Sequence, residues 1–378
     1  MKQVVKRTYK FKLYHSRKLH KLDYLFAIAC FIYNHCIMLQ KRYYRLFGKN
    51  ITAFTMTNHL VKLKRQKRFA FWKELNSQAI QDISERVWRS YKSFFKNIKK
   101  NHKAKPPRLR KKEFYNSITY KNSGHKIDRN IIVLQKKIRL KFYKSREIEG
   151  VIKTITFKRN RLGDYYMFVV CDVEIDKVLP RQGETIGLDF GLKHFLTTNK
   201  GERKEGILFF KKMLHEIREL NRKRSRKMGE QKGEKKSKNW IKANYKLQRA
   251  YERLINLRED FQWKLARELC SKYVVICIED LELKEMQRLW GRKVSELRFG
   301  EFVKKLEYVA SKLGSIVIKV GKWFASSQLC NHCGYKYEKV KDLRLRKWIC
   351  PQCGKEHDRD VNSAKNILRE GLQILQSV

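Results

Sequence analysis

The sequence predicts an α+β protein of several domains: a small β-barrel interrupted by a helical insert, then an α/β domain carrying an inserted zinc ribbon. Three observations predict it. Hydropathy alternates with period two near the N-terminus, turns helical, and returns to period two from Phe114. Apolar strands carrying Asp189 and Glu279 alternate with helical stretches in the second half. Cys330, Cys333, Cys350 and Cys353 form two CxxC pairs, each followed directly by glycine. The expected divisions of the 378 residues are the first barrel strand at 1–16, the helical insert at 17–105, the rest of the barrel at 106–180, the α/β domain at 181–325, the ribbon at 326–356 and a last α/β segment at 357–378.

Residues 3–14 place Val5, Tyr9, Phe11 and Leu13 on one face and Lys6, Lys10 and Lys12 on the other, a half-buried strand with a basic exterior. Helical spacing then runs through Leu22, Phe26, Ala29, Tyr33 and Ile37, through 55–63, and through Ile80, Ile83, Val87, Tyr91, Phe94 and Ile98. Leu22–Leu39 is apolar enough to be weighed as a membrane span. Asp23, Asn34 and His35 within it, and no small-residue cleavage site after it, make it a buried helix instead. Between Lys96 and Lys112 nine basic residues occur without an acid around Pro106-Pro107, which reads as a basic connector. Strands are expected at 114–120, 131–134, 138–142, 151–157 and 165–173, with a turn at Arg161-Leu162-Gly163-Asp164.

Pro180 and Gly183 mark a boundary. Thr185–Asn199 reads as strand, glycine turn and strand, with Asp189 amid apolar residues, where a carboxylate is costly unless paired or on a metal. Two long helices, 208–227 and 238–271, flank a basic loop. Then come a buried strand ending at Glu279-Asp280, a helix near 299–313, a strand at 315–320, the ribbon, and a helix opened by Asp360. That order is RNase H-like. It lets Asp189, Glu279 and Asp360 converge, and an all-oxygen donor set suits two Mg²⁺ or Mn²⁺ ions that activate water for phosphodiester cleavage. The ribbon's four thiolates close a tetrahedral zinc site with no open position, so its Zn²⁺ is structural.

The charge is +52, from 89 Lys and Arg against 37 Asp and Glu. Such an excess points to a polyanionic partner, a nucleic acid. Cys30, Cys36, Cys171, Cys270 and Cys277 stand singly in apolar runs, as reduced thiols of an intracellular protein do. Candidate nucleic-acid contacts are Gln78, Gln81, Lys103, Lys105, Arg108, Arg110, Lys111, Tyr120, Arg222 and Arg224, together with the loop 116–122. The amides suit adenine edges and the cations suit phosphates.

IGLDFGLKHF, VVICIEDL, SSQLCNHCG with WICPQCG, and HDRDVNSAKNI resemble the split RuvC motifs and zinc ribbon of the TnpB family of transposon-encoded RNA-guided nucleases, relatives of type V CRISPR effectors. FIYNH, AIQDISERVWRSYKSFF and PPRLRKKEFYNSITY resemble the recognition lobe and the turn into the wedge barrel of that family. The resemblance assigns Asp189, Glu279 and Asp360 as the magnesium-binding catalytic acids and the four cysteines as zinc ligands. Ser363 departs from the family pattern, where alanine is commoner. What the resemblance implies is a bacterial, cytoplasmic RNA-guided DNA endonuclease, nucleoid-associated when on DNA, with one protein per noncoding guide RNA from the transposon end, cutting target double-stranded DNA beside a short adjacent motif. The alternatives are a nuclease-silent RNA-guided DNA-binding repressor and an RNase H-fold transposase, whose acids usually run Asp, Asp, Glu. Asp358 and Asp360 both stand at a helix start, where a carboxylate can simply cap backbone N–H groups, and residues two apart there point in different directions.

Overall fold

The computed structural model describes residues 2–377 apart from 101–102, 122, 136, 177–178, 180, 206, 229–236, 282–287, 289–290, 292–293, 295–296 and 343. Pro180, Asn122 and the middle of the basic loop after the first long helix of the second half therefore lie outside the described residues. The chain forms two compact units, Met1–Lys177 and Val178–Val378.

In the first unit, β1 (Lys2–Lys12) is followed by α1 (His20–Phe47), α2 (Ala53–Arg65) and α3 (Ser77–Lys99). The strands β2 (Ser117–Lys121), β3 (His125–Asp128), β4 (Ile131–Leu134), β5 (Ile138–Lys141), β6 (Val151–Arg159) and β7 (Tyr165–Asp176) complete it. The helices begin and end where local chemistry dictates. Thr52 and Asn76 side chains accept backbone N–H groups at the starts of α2 and α3, and Gly48 takes φ 63° to close α1. By length and composition α1 could cross a membrane. Here Leu22, Phe26, Ala29, Ile32, Cys36 and Ile37 are buried in the core of the unit, as expected for a core helix.

Among the described residues the strands do not form the single barrel expected. They form an antiparallel sheet ordered β1-β7-β6-β2 and a separate β3-β4-β5 meander, joined by one bridge between Leu13 and Phe142. β1 and β7 pair from Lys2↔Asp176 to Lys12↔Tyr166. The meander instead closes locally, through a turn at Arg129 (φ 50°). The β6–β7 turn falls at the expected RLGD, where Asn160 Oδ1 accepts from the N–H groups of Leu162 and Asp164 and Gly163 takes φ 88°.

The second unit contains β8 (Thr185–Phe190), β9 (Leu196–Thr198), β10 (Arg203–Lys204), α4 (Ile207–Ser225), α5 (Lys238–Lys272), β11 (Val275–Glu279), α6 (Phe299–Leu313), β12 (Ile316–Val320), β13 (Lys347–Ile349), β14 (Glu356–Asp358) and α7 (Arg359–Gln376). Its sheet is ordered β10-β9-β8-β11-β12, with β8, β11 and β12 parallel and β9 reversed. This is the predicted RNase H-like order.

Strand alternation sorts the faces. Ile186, Leu188, Ile276 and Ile278 share a core with Leu265 and Leu269 of α5 and Phe302 and Leu306 of α6. Val275, Cys277 and Val320 share another with Ile367, Leu368 and Leu372 of α7. Two glycines let α7 come close. A Cβ on Gly187 would strike the Ala364 carbonyl oxygen, and one on Gly371 would meet Cys277 Sγ.

Candidate active site and metal centre

Asp189 lies near the end of the central strand β8, and Glu279 ends the neighbouring β11. The parallel register that sets Ile278 beside Leu188 carries Glu279 one step on, level with Asp189. Asp360 comes from the first turn of α7. All three line one cavity of about 370 Å³, with Lys322, Ser326, Arg346, Arg359 and Ser363 among the other walls. The Ser363 hydroxyl donates to Asp189 Oδ1 at 2.9 Å and lies 3.0 Å from Ser326 Oγ. Arg346 Nη1 donates to both Asp360 oxygens, at 3.1 and 3.4 Å.

The gathered acids oppose one another's ionisation. Burial first, then the charges of Asp360 and Glu279, push the Asp189 carboxyl up to about 8, while the Ser363 hydroxyl acts in the opposite direction. Burial pushes Glu279 up to about 7. Three carboxylates with no imidazole or thiolate among them are donors for a hard divalent cation, which would relieve that repulsion, so the residues present fit such an ion.

Asp358 does something else. Its Oδ1 accepts the N–H groups of Asp360 and Val361, at 3.2 and 3.1 Å, and its Oδ2 pairs with Arg203 at 2.7 Å. It is the cap of α7 and does not line the cavity.

The four cysteines meet between β12 and α7. Cys330 and Cys353 sulfurs lie 3.7 Å apart, Cys333 and Cys350 sulfurs 3.5 Å, and all four within 4.8 Å of one another. Tetrahedral zinc with bonds of about 2.3 Å needs sulfurs about 3.8 Å apart, so the set fits structural zinc. The two knuckles are alike: Gly334 and Gly354 take φ 78° and 67°, and donate to the carbonyls of Cys330 and Cys350. His357 Nε2 sits 3.0 Å from Cys330 Sγ, with its ring 4.7 Å from that of Trp348. The polar stripe of α7 ties the ribbon root down. Asn362 and Asn366 amides donate to the Leu329 carbonyl at 2.7 and 2.6 Å, and Asn366 also to that of Ser326 at 2.8 Å.

Among the nucleic-acid candidates, Lys103, Lys105, Arg108, Arg110 and Lys111 lie exposed on an extended segment without regular structure. Gln81 is exposed on α3, Gln78 half-buried in its first turn, and Arg222 exposed and Arg224 half-buried at the end of α4. Tyr120 and the expected loop 116–122 are corrections: Ser117–Lys121 is strand β2, paired antiparallel with β6, with Ile118, Thr119 and Tyr120 buried. Tyr120 is fully buried, its ring against Phe157 on the face of β2 and β6 that also carries Ile118 and Ile155 in the core of the first unit, while α3 crosses the opposite face of β2. Arg86 records that crossing: it leaves α3 to donate to Ser117 and Thr119 of β2, and pairs with the buried Asp82. Arg346, Ser326 and His357 went unsingled in the sequence. One arginine among 89 basic residues carries no signal of its own, and Ser363 stood out only as a departure from a pattern.

Sheet order and the placement of its acids define the second unit as RNase H-like. Residues 299–367 match the family model described as "Cas12f1-like, TNB domain", and residues 168–289 the one described as "Probable transposase". The chain is 28% identical over 381 residues to "Putative RNA-guided DNA endonuclease" of Streptomyces pristinaespiralis, covering 98% of this chain and 91% of that protein. It is 27% identical over 370 residues to "Putative RNA-guided DNA endonuclease InsQ" of Escherichia coli strain K12, covering 93% and 88%. A cryo-EM structure of the Cas12f1-sgRNA-target DNA complex aligns over 96% of this chain and 98% of its own, with a TM-score of 0.56 at 16% identity, a likeness of fold. The resemblance to the TnpB family, drawn from the motifs alone, is shown by these matches.

Proposed function

We propose that this chain is a transposon-encoded, RNA-guided DNA endonuclease that hydrolyses target DNA at the cavity floored by Asp189, Glu279 and Asp360. The observation that carries the reading is the convergence of those acids, from two adjacent strands and one helix start, in a chain of charge +52. Asp189, Glu279 and Asp360 would hold two Mg²⁺ or Mn²⁺ ions, which supply Lewis-acid activation of water and of the leaving oxygen. Ser363 fixes the orientation of Asp189. Arg346 brings a guanidinium from the ribbon to the cavity, where it can pair with a phosphodiester as it now pairs with Asp360. Zinc on the four cysteines would hold the ribbon, and so the start of α7, in register.

In this reading the first unit is the wedge and recognition lobe. A noncoding RNA from the transposon end lies along Lys103, Lys105, Arg108, Arg110 and Lys111, with Arg222 and Arg224 on further phosphates, and one protein serves each RNA. Gln81, exposed on α3, is the better placed of the two amides to reach a base edge of the adjacent motif. The test is guided cleavage of a target library by the protein with its copurified RNA and Mg²⁺, beside a binding assay. Cleavage beside one short motif, lost in Asp189→Ala with binding kept, is the expected result. Guided binding without any cleavage by the unmodified protein would give the repressor reading instead.

A further inference from the structure

The loop leaving β12 carries a side chain that the fold does not use. Val320 pairs with Glu279 across the sheet, so the loop that begins at Gly321 stands at the same strand-end rim as the acids. The Phe324 N–H donates to the Gly321 carbonyl at 3.0 Å, closing a tight turn with Lys322 and Trp323 at its tip. Phe324 returns to pack against the α7 side of the sheet, and both it and Lys322 line the cavity. Trp323 does not pack: the residue is 79% exposed, with Lys322 Nζ 4.6 Å from its ring centroid. An indole held in water on a tight turn gains nothing for folding from its large apolar face.

We infer that Trp323 is a stacking platform for an unpaired base of the strand being cut, with Lys322 beside it for that nucleotide's phosphate. The inference rests on the nuclease reading and names a substrate contact within it. In the guided reading, pairing of the guide with the target displaces one DNA strand, and a displaced strand reaches the open cavity unpaired. Its flanking bases have then lost their stacking partners. An exposed indole replaces one at the rim, and a stacked base resists sliding, which holds the scissile phosphate over the acids. Aromatic stacking tolerates any base, as a guided enzyme requires of contacts at the cut site.

Two measurements test it. In single-turnover guided cleavage, Trp323→Ala should cut about tenfold more slowly while guided binding is unchanged, and Trp323→Phe should stay near the unmodified rate. Separately, an eight-nucleotide oligothymidine carrying one 2-aminopurine, added to Asp189→Ala protein, should show fluorescence quenching that the Asp189→Ala, Trp323→Ala double variant lacks. That arm needs neither guide nor cleavage. If the unmodified protein cuts nothing, the nuclease reading fails while the oligonucleotide still decides the stacking. Trp323→Ala cutting at the unmodified rate, Trp323→Phe falling as far as Trp323→Ala, or undiminished quenching in the double variant would each overturn the inference.

Discussion

Asp358 and Asp360, two residues apart, are separated by what each side chain touches. Asp358 spends its oxygens on two backbone N–H groups and Arg203, whereas Asp360 lines the cavity with Asp189 and Glu279. Asp189→Ala, Glu279→Ala and Asp360→Ala should therefore each abolish Mg²⁺-dependent guided cleavage with guided binding retained. Asp358→Ala should keep cleavage and cost about 1 kcal/mol of stability as a lost cap. A cleavage time course beside denaturant melts of the four variants checks this, and full cutting by Asp360→Ala would reverse the assignment. The perturbed acids give a second expectation. A carboxyl whose folded pKa lies above its unfolded value binds its proton more tightly when folded, so its contribution to stability is lost as pH rises through that interval. The intervals run from 3.8 to about 8 for Asp189 and from 4.5 to about 7 for Glu279. In magnesium-free buffer, Asp189→Asn should raise Tm by several degrees at pH 8 and by little at pH 4, at about 2–4 °C per kcal/mol. Added Mg²⁺ should stabilise the unmodified protein more at pH 8 than at pH 5. An equal effect of Asp189→Asn at both pH values would show that its carboxyl titrates normally.

The elements that hold these residues make close contacts, and those contacts are where substitutions should tell most. α7 lies so near β8 that Gly187→Ala drives a methyl group into the Ala364 carbonyl, and overpacking of this kind costs about 1–3 kcal/mol. Cleavage should fall with it, since Asp189 and Asp360 sit on the two elements forced apart. Urea melts and guided cleavage on Gly187→Ala check both, and an unchanged midpoint would mean that α7 yields easily. The ribbon acts at the other end of the helix: Cys350→Ser should release zinc, read by elemental analysis, and lower Tm through the asparagine ties from α7 to Ser326 and Leu329. Most of this scaffold was legible in the sequence, for a physical reason. Asp189 within IGLDFG, Glu279 ending VVICIE and CxxCG twice over are local patterns, and each is written by a strand, a strand end or a knuckle that the residues themselves impose. What escaped reading depends on distant chain. Tyr120 is buried because the core of the first unit covers its face of β2, Ser363 matters because α7 meets β8, and the open sheet arises because β1 pairs with β7 from the far side of the helical insert. No window of sequence contains both partners of such contacts.

Charge belongs to the whole chain and to neither unit alone. With 89 basic against 37 acidic residues the excess cannot be offset internally, and the ion pairs that do form are mostly at exposed positions, where each contributes little. Like charges at this density repel across the folded surface and favour expansion unless a polyanion condenses on it. The protein should therefore purify with nucleic acid. If it is guided, that nucleic acid should be one defined RNA rather than a sample of the cell's RNA, because a fixed fold binds its own partner above background. Its removal by ribonuclease should lower Tm and solubility, and added NaCl should restore part of the solubility by screening without restoring guided cleavage. Sequencing the copurified RNA decides the matter. One dominant species with a constant region and a variable end supports guidance. A random distribution, with Tm unaltered by ribonuclease, would mean that the charge serves nonspecific binding, and Asp189, Glu279 and Asp360 would then have to find their DNA without a guide.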